Sequence, residues 1–197
     1  RFGLGAAQLR ALINARLAGR AYAGTLETHW DRSASYYEIP WRGTWAGEQG
    51  GAILGHAIHI HDLLQTLLGP VNQVFADLAT RVNDIETEDC AALSIRMQSG
   101  ALITSSVTLG CAENMSRMRL MFEGFTVETD HAPYALAQKG WRFIARAPSQ
   151  QSRSRESLTL RAQTGAYRSS PRADQRVRYR QRTALQGQPT STLGLPL

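Results

Sequence analysis

Hydrophobic and polar residues alternate along the chain with two periods, and each period predicts one type of element. Residues 4–18 and 51–68 carry apolar side chains at helical spacing, so each range predicts an amphipathic helix. Gly19 follows the first helix, and Gly69-Pro70 ends the second. The second helix is the more apolar of the two, with apolar side chains at Ile53, Ile58, Leu63, Leu64, Leu67 and Leu68.

After the second helix the period changes to two, which is typical of strands with one buried face. Residues 71–82 predict a first strand. Residues 92–109 predict a hairpin that turns at Ser99-Gly100, and residues 117–130 predict another that turns at Glu123-Gly124. Two helices followed by consecutive hairpins predict an α+β fold with an open, predominantly antiparallel β-sheet and helices packed on one face.

Between the helices, residues 27–51 show neither period and predict a loop-like stretch rich in aromatic side chains. Such a stretch can form a binding wall, or it can simply pack down on the core, and the residues alone leave both interpretations open. The aromatic residues are Trp30, Tyr36, Tyr37, Trp41 and Trp45.

Composition changes near residue 148, which predicts a domain at 1–147 and a basic tail at 148–197. The tail has nine arginines against two acidic residues, a net charge of +7; the whole chain carries +6, so residues 1–147 carry −1. The tail has little to bury, and we expect it to be poorly ordered. A solvated tail is the leading interpretation, and an arginine-rich arm that contacts nucleic acid is the alternative.

Other features narrow the class of protein. Two cysteines are too few for a disulfide scaffold, and no run approaches the roughly 20 apolar residues that span a bilayer. We therefore expect a cytoplasmic protein with no membrane contact. The first residue is not Met, which is compatible with a piece of a longer chain. The GLGAAQ stretch at residues 3–8 lacks the third glycine and the preceding strand of a dinucleotide-binding motif, so it predicts no cofactor site.

The stretch GHAIHIHD at residues 55–62 holds three of the five histidines. On a helix, His56 and His59 lie one turn apart, with Asp62 the next step along. These three positions drift around the helix by about 120°, which does not favour one metal ion bound by all three. An imidazole can instead accept a proton from a hydroxyl near neutral pH. A metal site, a proton-transfer site and structural histidines all stay open at this point.

The residues around these histidines resemble the central segment of the Gfo/Idh/MocA oxidoreductases, the glucose–fructose oxidoreductase and inositol dehydrogenase-like family. Residues 41–70 run from Trp-Arg-Gly-Thr-Trp through Gly-Gly to His-x-x-Asp-Leu-Leu and end at Gly-Pro. Glu88-Asp89 is similar to the acidic pair before a central strand of that family, and the Ser-Gly-Ala-Leu turn also matches. The resemblance extends from Arg1-Phe2 to about Arg146, some three-quarters of the chain.

This resemblance implies the C-terminal substrate-binding and oligomerisation domain of an NAD(P)-dependent dehydrogenase acting on a sugar or cyclitol hydroxyl. In the family, NAD or NADP is bound by an N-terminal Rossmann domain, and this sequence does not include its Gly-rich loop. No residue here is therefore assigned to cofactor or metal binding. We expect the chain alone to be inactive, so whether it is an enzyme by itself stays open, and we expect a homo-oligomer formed through the sheet face.

The resemblance also implies roles for particular residues. His59 falls on the family histidine that assists proton transfer. Gly55 stands where many members carry an acid, and His56 lies beside it, so we expect both histidines to be catalytic, with a two-histidine relay in place of the acid–histidine pair. Asp62 matches the Asp of His-x-x-Asp and is expected to be structural. The expected residues of the substrate wall are Trp30, Arg32, Tyr37 and Trp45.

Two other classes of function remain as alternatives. One is a non-catalytic, dimerising sheet domain whose basic tail binds nucleic acid. The other is a metal-dependent sugar isomerase or hydrolase, whose metal would be lost on substitution of His56 or His59.

Overall fold

A computed structural model of the chain describes residues 3–134, 136 and 140–147. The predicted tail at 148–197 lies outside the described residues. The helices of the described part are α1 (Leu4–Asn14), α2 (Trp45–Glu48) and α3 (Ile58–Leu68), with a 3₁₀ turn at Ala34–Glu38 and a π-helical segment at Ile53–Ala57. The strands are β1 (Ala21–Asp31), β2 (Val71–Ala79), β3 (Cys90–Met97), β4 (Leu102–Thr108), β5 (Gly110–Phe122), β6 (Phe125–Glu128) and β7 (Arg142–Ala145).

The strands of the described residues form one sheet in the order β2-β3-β4-β1-β5-β6-β7. Five of the six neighbouring pairs are antiparallel, and only β1 and β4 run parallel. Both predicted hairpins are present, as β3–β4 and β5–β6. The predicted α+β class with an open, mainly antiparallel sheet is therefore confirmed.

Strand β1 was not predicted, and the loop expected at residues 27–51 is wrong over its first five positions. The inward positions of β1 are Gly24, Leu26, Thr28 and Trp30, and all four are buried. Two of these are not hydrophobic residues, so the alternation is weak when only apolar residues are counted. The strand nevertheless lies inside the sheet, between β4 and β5.

Several element ends also differ from expectation; β5, for example, begins at Gly110 and not at residue 117. Two of the differences have a local reason. Helix α1 stops at Asn14 because Arg16 takes a left-handed backbone conformation with φ 58°. Strand β2 ends at Ala79, short of residue 82. There the Asp89 carboxylate accepts hydrogen bonds from the backbone N–H groups of residues 81, 82 and 83, at 2.7, 2.9 and 2.7 Å.

The helices lie on one face of the sheet, and the hydrophobic core lies between the helices and that face. Ile60, Leu63, Leu64 and Leu67 of α3 are buried in this core. Each fully buried side chain of this size contributes roughly 1.5–3 kcal/mol relative to an exposed one. The core therefore fixes how α3, which carries the histidines, lies over the sheet.

The other face of the sheet carries a cluster of charged side chains on β1, β5, β6 and β7, and exposed hydrophobic residues such as Leu102 and Ile144. On it, Glu128 accepts hydrogen bonds from Arg117 and from Arg142, the latter at 2.7 Å, and Arg117 also lies 4.0 Å from Glu27. These hydrogen bonds lower the pKa of Glu128 to about 2. The Glu128 carboxylate therefore stays ionised over the physiological range and links β6 to β5 and β7. No helix in the described part of the chain is both long and apolar enough to cross a membrane.

Candidate functional site

A cavity of about 530 Å³ opens on the helical side of the sheet, where the start of α3 lies over β1 and β5. Aromatic, basic, small polar and aliphatic side chains line it, and none of the described lining residues is acidic. The lining residues are Thr28, Trp30, Arg32, Tyr36, Gly55, His56, His59, Ile60, Leu63, Ser116, Tyr134 and Leu136.

The backbone that carries the histidines is held by the buried Glu88. Its carboxylate accepts hydrogen bonds from the N–H groups of Gly51 (2.9 Å) and Ile53 (3.1 Å), and its carbonyl accepts one from Ala52 (2.7 Å). A helix start leaves such donors without intrahelical partners, and a carboxylate there also interacts favourably with the helix dipole. The segment then passes through the π-helical turn at Ile53–Ala57, a geometry that often marks functional sites.

His56 lies at the inner wall of the cavity, with only 7% of its surface exposed. Its Nε2 atom accepts a hydrogen bond from Nε of Arg32 at 3.2 Å, so the ring proton lies on Nδ1. Nδ1 has no hydrogen-bond partner among the described residues. Burial, followed by the positive charge of Arg32, lowers the pKa of His56 to about 4. His56 is therefore neutral at physiological pH.

Arg32 follows β1 and is surrounded by three aromatic rings. Its guanidinium carbon lies 5.2 Å from the ring centre of Trp30, 4.9 Å from that of Tyr36 and 5.6 Å from that of Tyr134. Its Nη1 atom donates to the Tyr134 hydroxyl at 2.8 Å and to the carbonyl of Asp31 at 2.9 Å. These contacts hold the charged group in one orientation.

Four of the six residues expected at the catalytic site or substrate wall line this cavity together: Trp30, Arg32, His56 and His59. Tyr37 is not among the lining residues. Its ring packs edge-on against Tyr36, and burial raises its pKa to about 12. Trp45 lies in α2, outside the lining set, with 54% of its surface exposed.

Asp62, expected to have a structural role, is half-buried on α3 and is not among the residues that line the cavity. Its backbone carbonyl accepts a hydrogen bond from the Thr66 hydroxyl at 2.8 Å.

Four polar or aromatic lining residues were not among the predicted site residues: Thr28, Tyr36, Ser116 and Tyr134. Thr28 and Ser116 face each other on β1 and β5, and the Ser116 hydroxyl accepts the indole N–H of Trp30 at 3.0 Å. Tyr134 has a left-handed backbone with φ 62°, which is uncommon for a bulky residue and is found at strained functional positions. Its ring lies 4.3 Å from that of Trp30. No pattern in the sequence near Tyr134 indicated this placement.

The described residues do not bring together a metal site. No group of three or more His, Cys, Asp and Glu side chains within them is placed to hold an ion. His61 contacts the Ser105 hydroxyl at 2.9 Å, whereas His29 contacts the Ser106 hydroxyl at 3.0 Å. Because neighbouring residues of β4 point to opposite faces, these two histidines lie on opposite sides of the sheet.

The Gly-rich stretch near the N-terminus allows α1 to pack closely against Trp141. Residues 4–8 form the start of α1, and a Cβ atom on Gly5 would lie 2.3 Å from the Trp141 ring. No strand precedes this helix among the described residues, so they contain no dinucleotide-binding βαβ unit at this stretch.

We expect the stability of the domain to fall as the pH drops from 6.5 to 4.5. In the unfolded chain His56 protonates near its ordinary pKa of 6.5, but in the folded chain only near 4. Between these values the unfolded state binds more protons, so the free energy of unfolding decreases by about 2 kcal/mol for this group. Burial also lowers the pKa of His61, which adds to the effect. Glu128 does not contribute, because its stabilising ionisation is lost only below pH 4.5.

Urea denaturation at pH 7 and pH 4.5 measures this difference. A His56→Gln variant, which keeps an acceptor for Arg32, should show a smaller difference between the two pH values than the wild type. An equal difference in the two proteins would contradict the assignment of His56 as a neutral, buried group.

Comparison with known proteins identifies a family and several solved structures to which this chain is similar. A family model described as GFO/IDH/MocA C-terminal domain matches residues 6–128. The WlbA dehydrogenase from Bordetella pertussis, crystallised with NADH and UDP-GlcNAcA, is 27% identical with a TM-score of 0.66; the match covers 82% of this chain and 51% of that one. The WlbA dehydrogenase from Chromobacterium violaceum, with the same ligands, is 29% identical with a TM-score of 0.63, covering 79% and 46%.

A levoglucosan dehydrogenase in complex with NADH and levoglucosan is 18% identical with a TM-score of 0.58, covering 72% of this chain and 44% of that one, and shows a likeness of fold alone. A search of curated proteins gave no match. The chain spans about half the length of the two WlbA dehydrogenases. Because the family model matches more than half of the chain, the protein belongs to the Gfo/Idh/MocA family through its C-terminal domain.

Proposed function

We propose that this domain binds the substrate of an NAD(P)-dependent oxidoreductase and accepts the proton released when a sugar or cyclitol hydroxyl is oxidised. The cavity carries the proposal, because it joins aromatic walls, hydrogen-bonding groups and an exposed imidazole. The two WlbA relatives were crystallised with NADH and a nucleotide sugar, which supports the same class of reaction here.

His59 is the proposed proton acceptor. It lines the cavity and is exposed, so a substrate hydroxyl can reach its ring. Proton uptake by a well-placed imidazole typically accelerates such a step by about 10²–10⁴. Tyr36 and Tyr134 line the cavity and are less buried than Trp30, so their rings can contact the apolar face of a sugar ring, while Trp30 supports them from below the surface.

His56 has a positioning role in this proposal. A relay in which His59 passes its proton to His56 is unfavourable, because the pKa of His56 is about 4. The neutral ring instead accepts a hydrogen bond from Arg32 and fixes the direction of that side chain. His56 thus acts on the substrate through Arg32.

The described residues do not fit the cofactor, since they contain no Gly-rich βαβ unit to hold its phosphates. NAD(P) would be bound by a separate nucleotide-binding domain, and this chain alone would be inactive. We also propose that the domain forms a homo-oligomer through the sheet face opposite the helices, which no described helix covers and on which Leu102 and Ile144 are exposed. The contribution of the domain to the reaction is then substrate binding, proton uptake and assembly.

Titration with NADH and NADPH tests the proposal. The 197-residue chain is compared with a longer protein expressed from the same reading frame extended upstream. Quenching or enhancement of nicotinamide fluorescence by the longer protein, and none by the 197-residue chain, is the expected result. Binding by the short chain would contradict the division of roles, and binding by neither would contradict a dehydrogenase function.

A further inference from the structure

The positive charge of Arg32 is not balanced by any acidic side chain in the described part of the protein. Its hydrogen-bond partners are the neutral ring of His56, the Tyr134 hydroxyl and the backbone carbonyl of Asp31. The three surrounding aromatic rings attract the cation but do not neutralise it. A half-buried guanidinium with only neutral partners favours an anion as its next ligand.

The other residues that line the cavity do not supply a negative charge to pair with Arg32. None of the described residues that line the cavity is acidic, so none of them places a carboxylate against an anionic ligand. Asp31, next to Arg32 in sequence, and Glu38 are exposed and are not among the lining residues. Glu88 is engaged elsewhere, since its carboxylate caps the helix start. The net electrostatic character of the cavity wall is therefore positive.

The hydrogen bonds leave donors available for an oxyanion. Nε and Nη1 of Arg32 are used within the protein, whereas Nη2 makes no hydrogen bond to the described residues. The Tyr134 hydroxyl accepts from Arg32, so its own proton remains for a ligand. A guanidinium N–H and a neighbouring hydroxyl suit the oxygens of a carboxylate.

From these contacts we propose that the cavity takes a sugar acid, with the substrate carboxylate bound by Nη2 of Arg32 and the hydroxyl of Tyr134. This inference rests on the proposed function and narrows its substrate class. Trp30 contributes by fixing Arg32 through ring stacking, and its indole N–H is tied to Ser116. The cavity volume of about 530 Å³ is ample for a single hexuronate ring.

The test compares D-glucuronate with D-glucose, which differ by a carboxylate in place of a hydroxymethyl group. Each sugar is titrated into the ¹⁵N-labelled 197-residue chain at constant ionic strength. Binding is followed at the indole N–H resonance of Trp30, which is assigned with a Trp30→Phe variant. Inorganic phosphate is titrated in parallel as a simple anion. We expect D-glucuronate to bind roughly tenfold to hundredfold more tightly than D-glucose and more tightly than phosphate.

Two pairs of variants locate the effect. Arg32→Gln should remove the preference for glucuronate, while Arg32→Lys, which keeps the charge but loses the planar stacking, should retain part of it. Gly55→Asp places a carboxylate at the cavity wall, where an added Cβ has no atom within 4 Å, and should reverse the preference. Gly55→Asn has the same shape without the charge and should keep it.

The outcomes separate this inference from the function on which it rests. Equal binding of glucose and glucuronate, or an unchanged preference in Arg32→Gln, would overturn the sugar-acid proposal and leave a sugar site standing. Phosphate binding as tightly as glucuronate would show a general anion site and also overturn it. No binding of either sugar would contradict the proposed function as well.

Discussion

Replacing Gly51 with alanine is expected to lower the free energy of unfolding by about 3–5 kcal/mol, although it adds a single methyl group. A Cβ atom at this position would lie 1.9 Å from the backbone oxygen of Glu88 and 2.7 Å from its backbone nitrogen. Backbone cannot rotate away as a flexible side chain can, so the helix start must move. The movement breaks the hydrogen bonds that Glu88 makes to Gly51, Ala52 and Ile53.

Gly55, four residues further along the same segment, provides the matched control. A Cβ atom there meets nothing within 4 Å, and its backbone angle is one that alanine adopts readily. Gly55→Ala should therefore leave stability unchanged or raise it by about 0.5–1 kcal/mol. Urea denaturation followed by circular dichroism measures both variants. If the two differ by less than about 1 kcal/mol, Glu88 does not hold the helix start as described.

Replacing His59 with asparagine is expected to lower kcat by about 10²–10⁴ in a form of the protein that reduces NAD(P), with a smaller effect on KM. Asparagine can still hydrogen-bond to a sugar hydroxyl, but it cannot take up its proton near neutral pH. Substrate binding should therefore survive while the chemical step slows. Steady-state rates with the longer protein of the same reading frame provide the measurement.

His61→Asn is the control for this change, since it makes the same substitution two residues later on the same helix. His61 does not line the cavity; it faces the sheet, where its ring contacts the Ser105 hydroxyl. We expect some loss of stability in this variant and little change in kcat. Similar losses of kcat in both variants would show that His59 supports the fold and does not accept the proton.

The parts of the fold that sequence predicted best are those whose partners are close along the chain. Both hairpins were predicted because alternating residues flank a glycine-containing turn, so pattern and pairing lie in the same short segment. Strand β1 was missed because its partners are distant and its buried positions include Gly24 and Thr28. A window that counts apolar residues has no means of seeing such a strand.

The candidate site was predicted in part for a similar reason. The histidine helix was predicted from its unusual composition. Trp30 and Arg32, which lie next to it in the fold, were predicted from the aromatic stretch at residues 27–51. Choosing between adjacent tyrosines needed the 3₁₀ turn, which directs Tyr36 to the cavity and Tyr37 towards Gly43. Tyr134 reaches the site from more than 100 residues away, through a backbone conformation that its own sequence does not indicate.

The position of β1 inside the sheet has a consequence for the order in which the chain can assemble. Its neighbour β4 follows about 80 residues later, since Ala23 pairs with Leu102, and its other neighbour β5 follows after that. At about 5–20 residues per second, a ribosome takes on the order of 4–16 s to add the residues between these partners. During that time the backbone groups of β1 lack partners on both edges, and Leu26 and Trp30, which are buried in the finished sheet, are not yet covered. The sheet can close only after its C-terminal half has been made, and until then the newly synthesised chain is most exposed to misassociation at its first strand.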